Sequence, residues 1–172
     1  MGNRAVITTA DEFHHGGIGI YLHWNGGYNC VTAFLEYCKL RGFRTLTEDR
    51  GYGYARLCQV ITNFFGGSLS VEIGPLKYMD VNNGDNGVYI VEGWDIVDRK
   101  YFSGKELTDP DIDGMVKLLR TIDKRQPRVD RIFKKASDWA KLKENEKLHQ
   151  PDLLIFVPMD DHAPARWIRE YK

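Results

Sequence analysis

Cys30 is the side chain in this sequence best placed to act as a nucleophile. It follows Asn25-Gly26-Gly27 and opens a run with helical spacing. A thiol near a helix N-terminus feels the positive end of the dipole, which favours the thiolate. A Cys/His hydrolase would pair it with a histidine from another element. The chain has five: His14, His15, His23, His149 and His162. No local signature selects one, and His23 is carried with Cys30 as a catalytic candidate. The competing reading makes Cys30 a small apolar residue in a first helical turn.

Other groupings have chemical potential at the wrong spacing. Gly19-Ile20-Tyr21 resembles the first half of the motif that names the GIY-YIG nucleases. The next Tyr-Ile, Tyr89-Ile90, is too distant and is followed by Val, so an ordinary strand is the better reading. Asp11, Glu12, His14 and His15 are metal-ligand types, as are Asp160, Asp161 and His162. Neither group has the spacing that turns two ligands to one side of a helix. Asp80 to Asp85 has the composition of a calcium loop, but Gly84 is fifth rather than sixth and the twelfth residue is Val91. A polar turn is expected there. Gly26-Gly27, Gly51-x-Gly53 and Gly66-Gly67 match neither a P-loop nor the dinucleotide fingerprint. No metal or cofactor is expected.

The strongest functional hint is charge. The chain has 24 basic and 24 acidic residues and is neutral overall. Residues 1–116 carry a net −5, whereas residues 117–147 hold eleven Lys and Arg against five acids, a net +6. Such a segment neutralises phosphates or meets an acidic protein surface. The candidate partner-binding residues are Arg128, Arg131, Lys134, Lys135 and Lys141. The competing reading is a solvated helix face balanced by the acidic body. The expected partner is a protein or a protein–nucleic acid complex, with RNA or DNA contact through residues 117–147.

The elements that must carry these residues are read from periodicity. Strands are expected near 4–9, 17–24, 69–74 and 88–102, where apolar residues alternate. The polar stretch Asp11–Gly17 reads as a turn between the first two. Val31, Phe34, Leu35 and Cys38 lie on one helical face, with Asn29 as N-cap and Gly42 at the C-terminus. Tyr54, Leu57, Cys58, Ile61, Phe64 and Phe65 define a second helix ending at Gly66-Gly67. A third spans 110–124 and stops at Pro127. A fourth is expected over 128–146, burying Val129, Ile132, Phe133, Ala136, Trp139 and Ala140 while Arg131, Lys134 and Lys141 face solvent. Strands and helices do not alternate as βαβ units, so the fold class is α+β, with antiparallel strands packed against about four helices. Residues 1–107 are expected to form the α+β core, and 108–172 a helical, basic extension packed on the same domain.

The chain has 172 residues, of which 42% are hydrophobic and 28% charged, an ordinary balance for a folded protein and too apolar for a disordered one. Cys30, Cys38 and Cys58 are an odd set without a Cys-x-x-Cys pair, which argues against a disulfide framework or a zinc ribbon. No apolar run approaches the ~20 residues that cross a bilayer. No membrane partner is expected, and a cytoplasmic location is.

Several blocks carry a resemblance. They are residues 1–7 (MGNRAVI), residues 19–27 (GIYLHWNGG), Tyr54-Ala55-Arg56-Leu57-Cys58-Gln59-Val60-Ile61, Asn63-Phe64-Phe65-Gly66-Gly67, and Asp85 to Ile90 with the Trp94 hairpin. Over residues 1–125 the chain resembles a group of small uncharacterised proteins of bacteriophages, prophages and related mobile elements. Cys30 does not look like a required cysteine of that group. The resemblance implies an accessory factor that acts by binding, of the kind that inhibits host defence, such as an anti-CRISPR protein. A small Cys/His hydrolase or nuclease is the alternative.

Overall fold

A computed structural model describes residues 3–67, 70–105 and 112–132. Five strands form one sheet: β1 (Ala5–Thr9), β2 (Ile18–Leu22), β3 (Val71–Pro75), β4 (Val88–Glu92) and β5 (Asp95–Lys100). Their order across the sheet is β3-β2-β1-β4-β5. Neighbours pair antiparallel at β3–β2, β2–β1 and β4–β5, while β1 and β4 run parallel, with Val6 opposite Val88. The expectation of antiparallel strands therefore holds everywhere but at the sheet centre. Local alternation fixes which face a residue takes, and says nothing of strand direction.

That alternation splits the sheet into two faces. Ala5, Ile7, Ile20, Leu22, Tyr89 and Val91 look one way, into the main core. There they meet α2 (Tyr28–Leu40), α3 (Arg50–Phe65) and α4 (Ile112–Arg125), through Phe34, Leu35, Leu57, Ile61, Leu119 and Ile122. Each such apolar side chain withdrawn from water stabilises the fold by roughly 1.5–3 kcal/mol. On the opposite face Val6, Val88 and Ile90 form a smaller cluster with Leu76 and Met79. These last two come from a 3-10 turn (Leu76–Tyr78) and the loop after it. The fold is α+β.

Between β1 and β2 lies a short helix, α1 (Ala10–His15), where only a turn was expected. Thr9 caps it, its hydroxyl accepting from the Glu12 N–H at 3.3 Å. Gly16 closes it at φ +68°, the left-handed conformation that suits glycine. Glu12 turns inward, accepting from the Ile18 N–H at 2.8 Å and pairing with Arg50 of α3 at 2.9 Å.

The ends of α2 and α4 set up the site described next. The N-cap of α2 is Gly27, not Asn29, which lies within the first turn. At the other end Gly42 (φ +65°) lets its N–H reach the Lys39 carbonyl and the Phe43 N–H reach the Cys38 carbonyl. This pair of bonds is a Schellman closure, which satisfies carbonyls that a helix end leaves open. Trp94 donates from Nε1 to the Phe43 carbonyl at 3.1 Å and anchors the turn to the β4–β5 hairpin.

The helix expected over 128–146 does not begin at its first residues. Pro127 ends α4's register, and Arg128–Asp130 form a 3-10 turn. Val129, expected in the core, is 87% exposed, whereas Ile132 is buried. The Ile132 N–H donates to Asp123 at 2.7 Å, and Tyr37 donates its hydroxyl to the same oxygen at 2.7 Å. Burial and the neighbouring Asp123 hold the Tyr37 phenol protonated far above its ordinary range.

Candidate functional site

Cys30 lies in the first turn of α2, half-buried beneath the Asn25 side chain, whose amide donates to its sulfur at 3.8 Å. Burial pushes its thiol pKa up, more than the Asn25 contact brings it down. The thiolate expected from the helix dipole is thus opposed by desolvation. His23 is exposed and its ring sits edge-on to Trp24 at 5.1 Å. Among the described residues no hydrogen bond joins His23 to Cys30. Gly19 packs where a Cβ would lie 2.7 Å from Leu76 Cδ2, so close packing accounts for that glycine in β2.

Asp160, Asp161 and His162 lie outside the described residues, and several of the other candidate ligands have structural work. Asp11 pairs with Arg50 at 2.5 Å and with His15 at 3.1 Å. In the 80–87 loop, Asn83 donates to the Asp80 and Gly87 carbonyls and accepts from the Asp85 and Gly87 N–H groups. Arg4 reaches in with Nε 2.7 Å from Asp85 and an amino group 3.4 Å from Asp80. The carboxylates of Asp80 and Asp85 are thus paired with a guanidinium. Among the described residues no cluster of His, Cys, Asp and Glu has the arrangement of a metal site.

The basic segment is different. On α4, Leu119, Ile122, Asp123 and Gln126 are buried, whereas Lys117, Arg120, Lys124 and Arg125 are exposed, and Arg128 continues the exposed row on the 3-10 turn. Helical spacing explains the sorting, because residues three and four apart share a face. Asp123 is 2% exposed and spends its charge on the interior. The outward charge of α4 beyond its first turn is consequently all positive.

Of the expected partner-binding residues, Arg128 is exposed on this row. Arg131 is half-buried, and its guanidinium is engaged by the end of α4. Its Nε donates to the Gln126 carbonyl at 3.0 Å and a terminal nitrogen donates to the Lys124 carbonyl at 2.7 Å. It caps the C-terminus of α4, where backbone carbonyls and the dipole both favour a cation. Lys134, Lys135 and Lys141 lie outside the described residues.

On either side of Arg128 in the chain, Gln126 and Asp130 belong to a crevice that sequence reasoning missed. It is lined by Tyr37, Arg41, Phe43, Arg56, Gln59, Val60, Gln126 and Asp130. The Arg41 and Arg56 guanidinium carbons stand 5.5 Å and 5.6 Å from the centroid of the Phe43 ring. Cation–π attraction holds both head groups against one ring. These residues come from the end of α2, the middle of α3 and the end of α4, and no sequence spacing links them.

No family model matches the chain, and neither a curated protein nor a solved structure is detectably similar to it.

Proposed function

We propose that this protein acts by binding, and that it holds an anionic partner, a nucleic acid or a protein–nucleic acid complex, on the exposed basic row of α4 and the turn after it. What supports the reading is the sorting of charge on one helix. Lys117, Arg120, Lys124, Arg125 and Arg128 are exposed, and Asp123, the acid that would weaken their field, is buried. A row of like charge costs folding a little through self-repulsion and serves to attract an opposite charge. The desolvated thiol of Cys30 speaks against a thiolate nucleophile. The resemblance to small phage and prophage proteins gives the proposal a setting: an accessory factor directed at a nucleic-acid-guided host nuclease, in the manner of an anti-CRISPR protein.

The test is a charge reversal that spares the cap. Lys124→Glu, Arg125→Glu and Arg128→Glu are combined, because all three residues are exposed and Arg131 is left to close α4. Binding of labelled duplex DNA and single-stranded RNA is read by fluorescence anisotropy at two salt concentrations. The wild type should bind more weakly as salt rises, with a slope of about −0.9 per neutralised phosphate on duplex DNA. The triple variant should lose at least about tenfold in affinity and flatten that slope. Equal affinity of the two proteins, with equal thermal stability, would sink the proposal. Capture from host lysate with and without nuclease treatment then separates a nucleic-acid contact from a protein contact.

A further inference from the structure

The crevice at the end of the basic row carries a second inference, which rests on the reading just given. Its hydrogen-bonding capacity can be counted side chain by side chain. Tyr37 donates to Asp123. Gln126 donates to the Val60 and Ile122 carbonyls and accepts from Asn63, so its amide is fully engaged. Gln59 accepts from Arg56 at 2.8 Å through its oxygen, and its remaining capacity is to donate. Arg41 is the exception. Its Nε is buried and has no hydrogen-bond partner among the described residues. Asp130 lies 3.5 Å from one of its terminal nitrogens, at the outer limit of a hydrogen bond. A guanidinium N–H removed from water without an acceptor is costly, and such a group in a native fold calls for an explanation.

We propose that the crevice is a subsite for a single phosphate group, held between Arg41 and Arg56, with Asp130 as the internal anion that the phosphate displaces. The unspent donors of the walls are the Arg41 Nε–H, the Arg56 guanidinium and the Gln59 amide, set against one carboxylate, Asp130, and phosphate oxygens are acceptors. Two guanidiniums against one carboxylate leave one net positive charge, which matches a backbone phosphodiester. The cavity of about 100 Å³ admits a small anion and falls short of the ~300 Å³ and more of pockets that enclose a whole ligand. Arg128 lies between Gln126 and Asp130 in the chain, which places the subsite next to the C-terminal end of the α4 row in sequence. A strand tracking that row would set one phosphate here.

The experiment uses the full chain and two probes. Inorganic phosphate is titrated against ¹⁵N-labelled protein at constant ionic strength, with chloride as the matched control. The Arg41 Nε–H resonance should shift to saturation with phosphate and stay still with chloride. Arg56→Gln, at an exposed position, and Arg41→Gln should each weaken the phosphate response about tenfold. Asp130→Asn should strengthen it several-fold, because it removes the competing anion. Opposite signs at Arg41 and Asp130 are not expected of a merely structural ion pair. The same variants are then measured with the labelled oligonucleotide. Should wild type bind phosphate and ignore the oligonucleotide, the subsite stands for a free phosphate or mononucleotide and the nucleic-acid reading falls. Should the oligonucleotide bind equally well to wild type and both Arg variants, the subsite falls and the α4 row stands. A phosphate response no different from chloride, or a weaker one in Asp130→Asn, also overturns the subsite.

Discussion

Arg4 and Arg41 each face an aspartate, and the two settings differ in how completely the guanidinium is used. Arg4 has its Nε 2.7 Å from Asp85, and its own backbone N–H donates to the same carboxylate at 3.1 Å. Asp80 adds a third contact, and Asn83 ties the loop that presents both acids. Arg41 has one contact at 3.5 Å, a neighbouring aromatic ring and a buried Nε with no acceptor among the described residues. The same residue pair thus closes a loop in one place and leaves donor capacity over in the other. The difference shows why charge counting along a sequence is a poor guide to a site. What matters is whether the fold has already spent the charge.

That contrast can be broken by mutation. The largest effect is expected from Asn83→Ala in the Arg4 region. It leaves the Asp85 and Gly87 N–H groups and the Asp80 carbonyl without that partner, while the Gly87 carbonyl keeps the Val6 N–H, and should cost about 3 kcal/mol in chemical denaturation. A loss under ~1 kcal/mol would show that the loop does not depend on that side chain. Arg4→Gln should lower the melting temperature by less than Asn83→Ala, and should leave phosphate and oligonucleotide binding unchanged. Arg56→Gln, in the crevice, should alter stability by no more than about 0.5 kcal/mol while weakening anion binding. Comparable melting losses at Arg4 and Arg56 would erase the distinction between a spent and an available cation.

A smaller effect concerns acid. The Arg4 hydrogen bonds hold the Asp85 carboxyl below its ordinary pKa. The folded state therefore binds its proton less readily than the unfolded one. The associated stability is complete above the ordinary aspartate value of about 3.9 and is lost as the pH falls from there through the lowered folded value. Asp85→Asn should flatten stability against pH in that window and leave it unaffected in slope near neutrality. A variant with the wild-type acid slope would show that Asp85 is not the group responsible. Smallest of all, Cys30→Ser should leave binding unchanged, and Cys30 should react with a thiol reagent more slowly than a free cysteine at neutral pH, as its raised pKa requires.

How much of this could be read beforehand depended on whether a feature was local. The stripe Val31, Phe34, Leu35, Cys38 is periodic and gave α2 to within a residue of its start, and Gly42 marked its end. The helix α1 was missed although its signal was present. Thr9 stands three residues before Glu12, a capping pattern, but the polar run that followed looked like a turn. Pro127 ended α4 as expected. The chain after it did not resume a helix at once, because Ile132 is drawn to Asp123 and Tyr37, residues of other helices. The basic character of 117–132 was legible from composition. That Arg131 caps α4 while Arg128 is exposed was not, since it depends on where the helix stops. The Arg41–Arg56 crevice joins positions far apart in the chain, and only the packing of α2, α3 and α4 brings them together.

The parallel pairing at the centre of the sheet also has a consequence in time. β1 is wholly buried and takes one neighbour, β2, from nearby sequence. Its other neighbour, β4, is about 80 residues further on, as Val6 opposite Val88 shows. During synthesis at about 5–20 residues per second, β1 waits some 4–16 seconds for that partner. For that interval a hydrophobic strand of Ala5, Val6 and Ile7 has an open hydrogen-bonding edge, the kind of template that recruits other chains. Production of this protein in cells should therefore be limited by how fast the ribosome delivers Val88 to Val91, and slower translation between β2 and β4 should shift product from the soluble to the aggregated fraction.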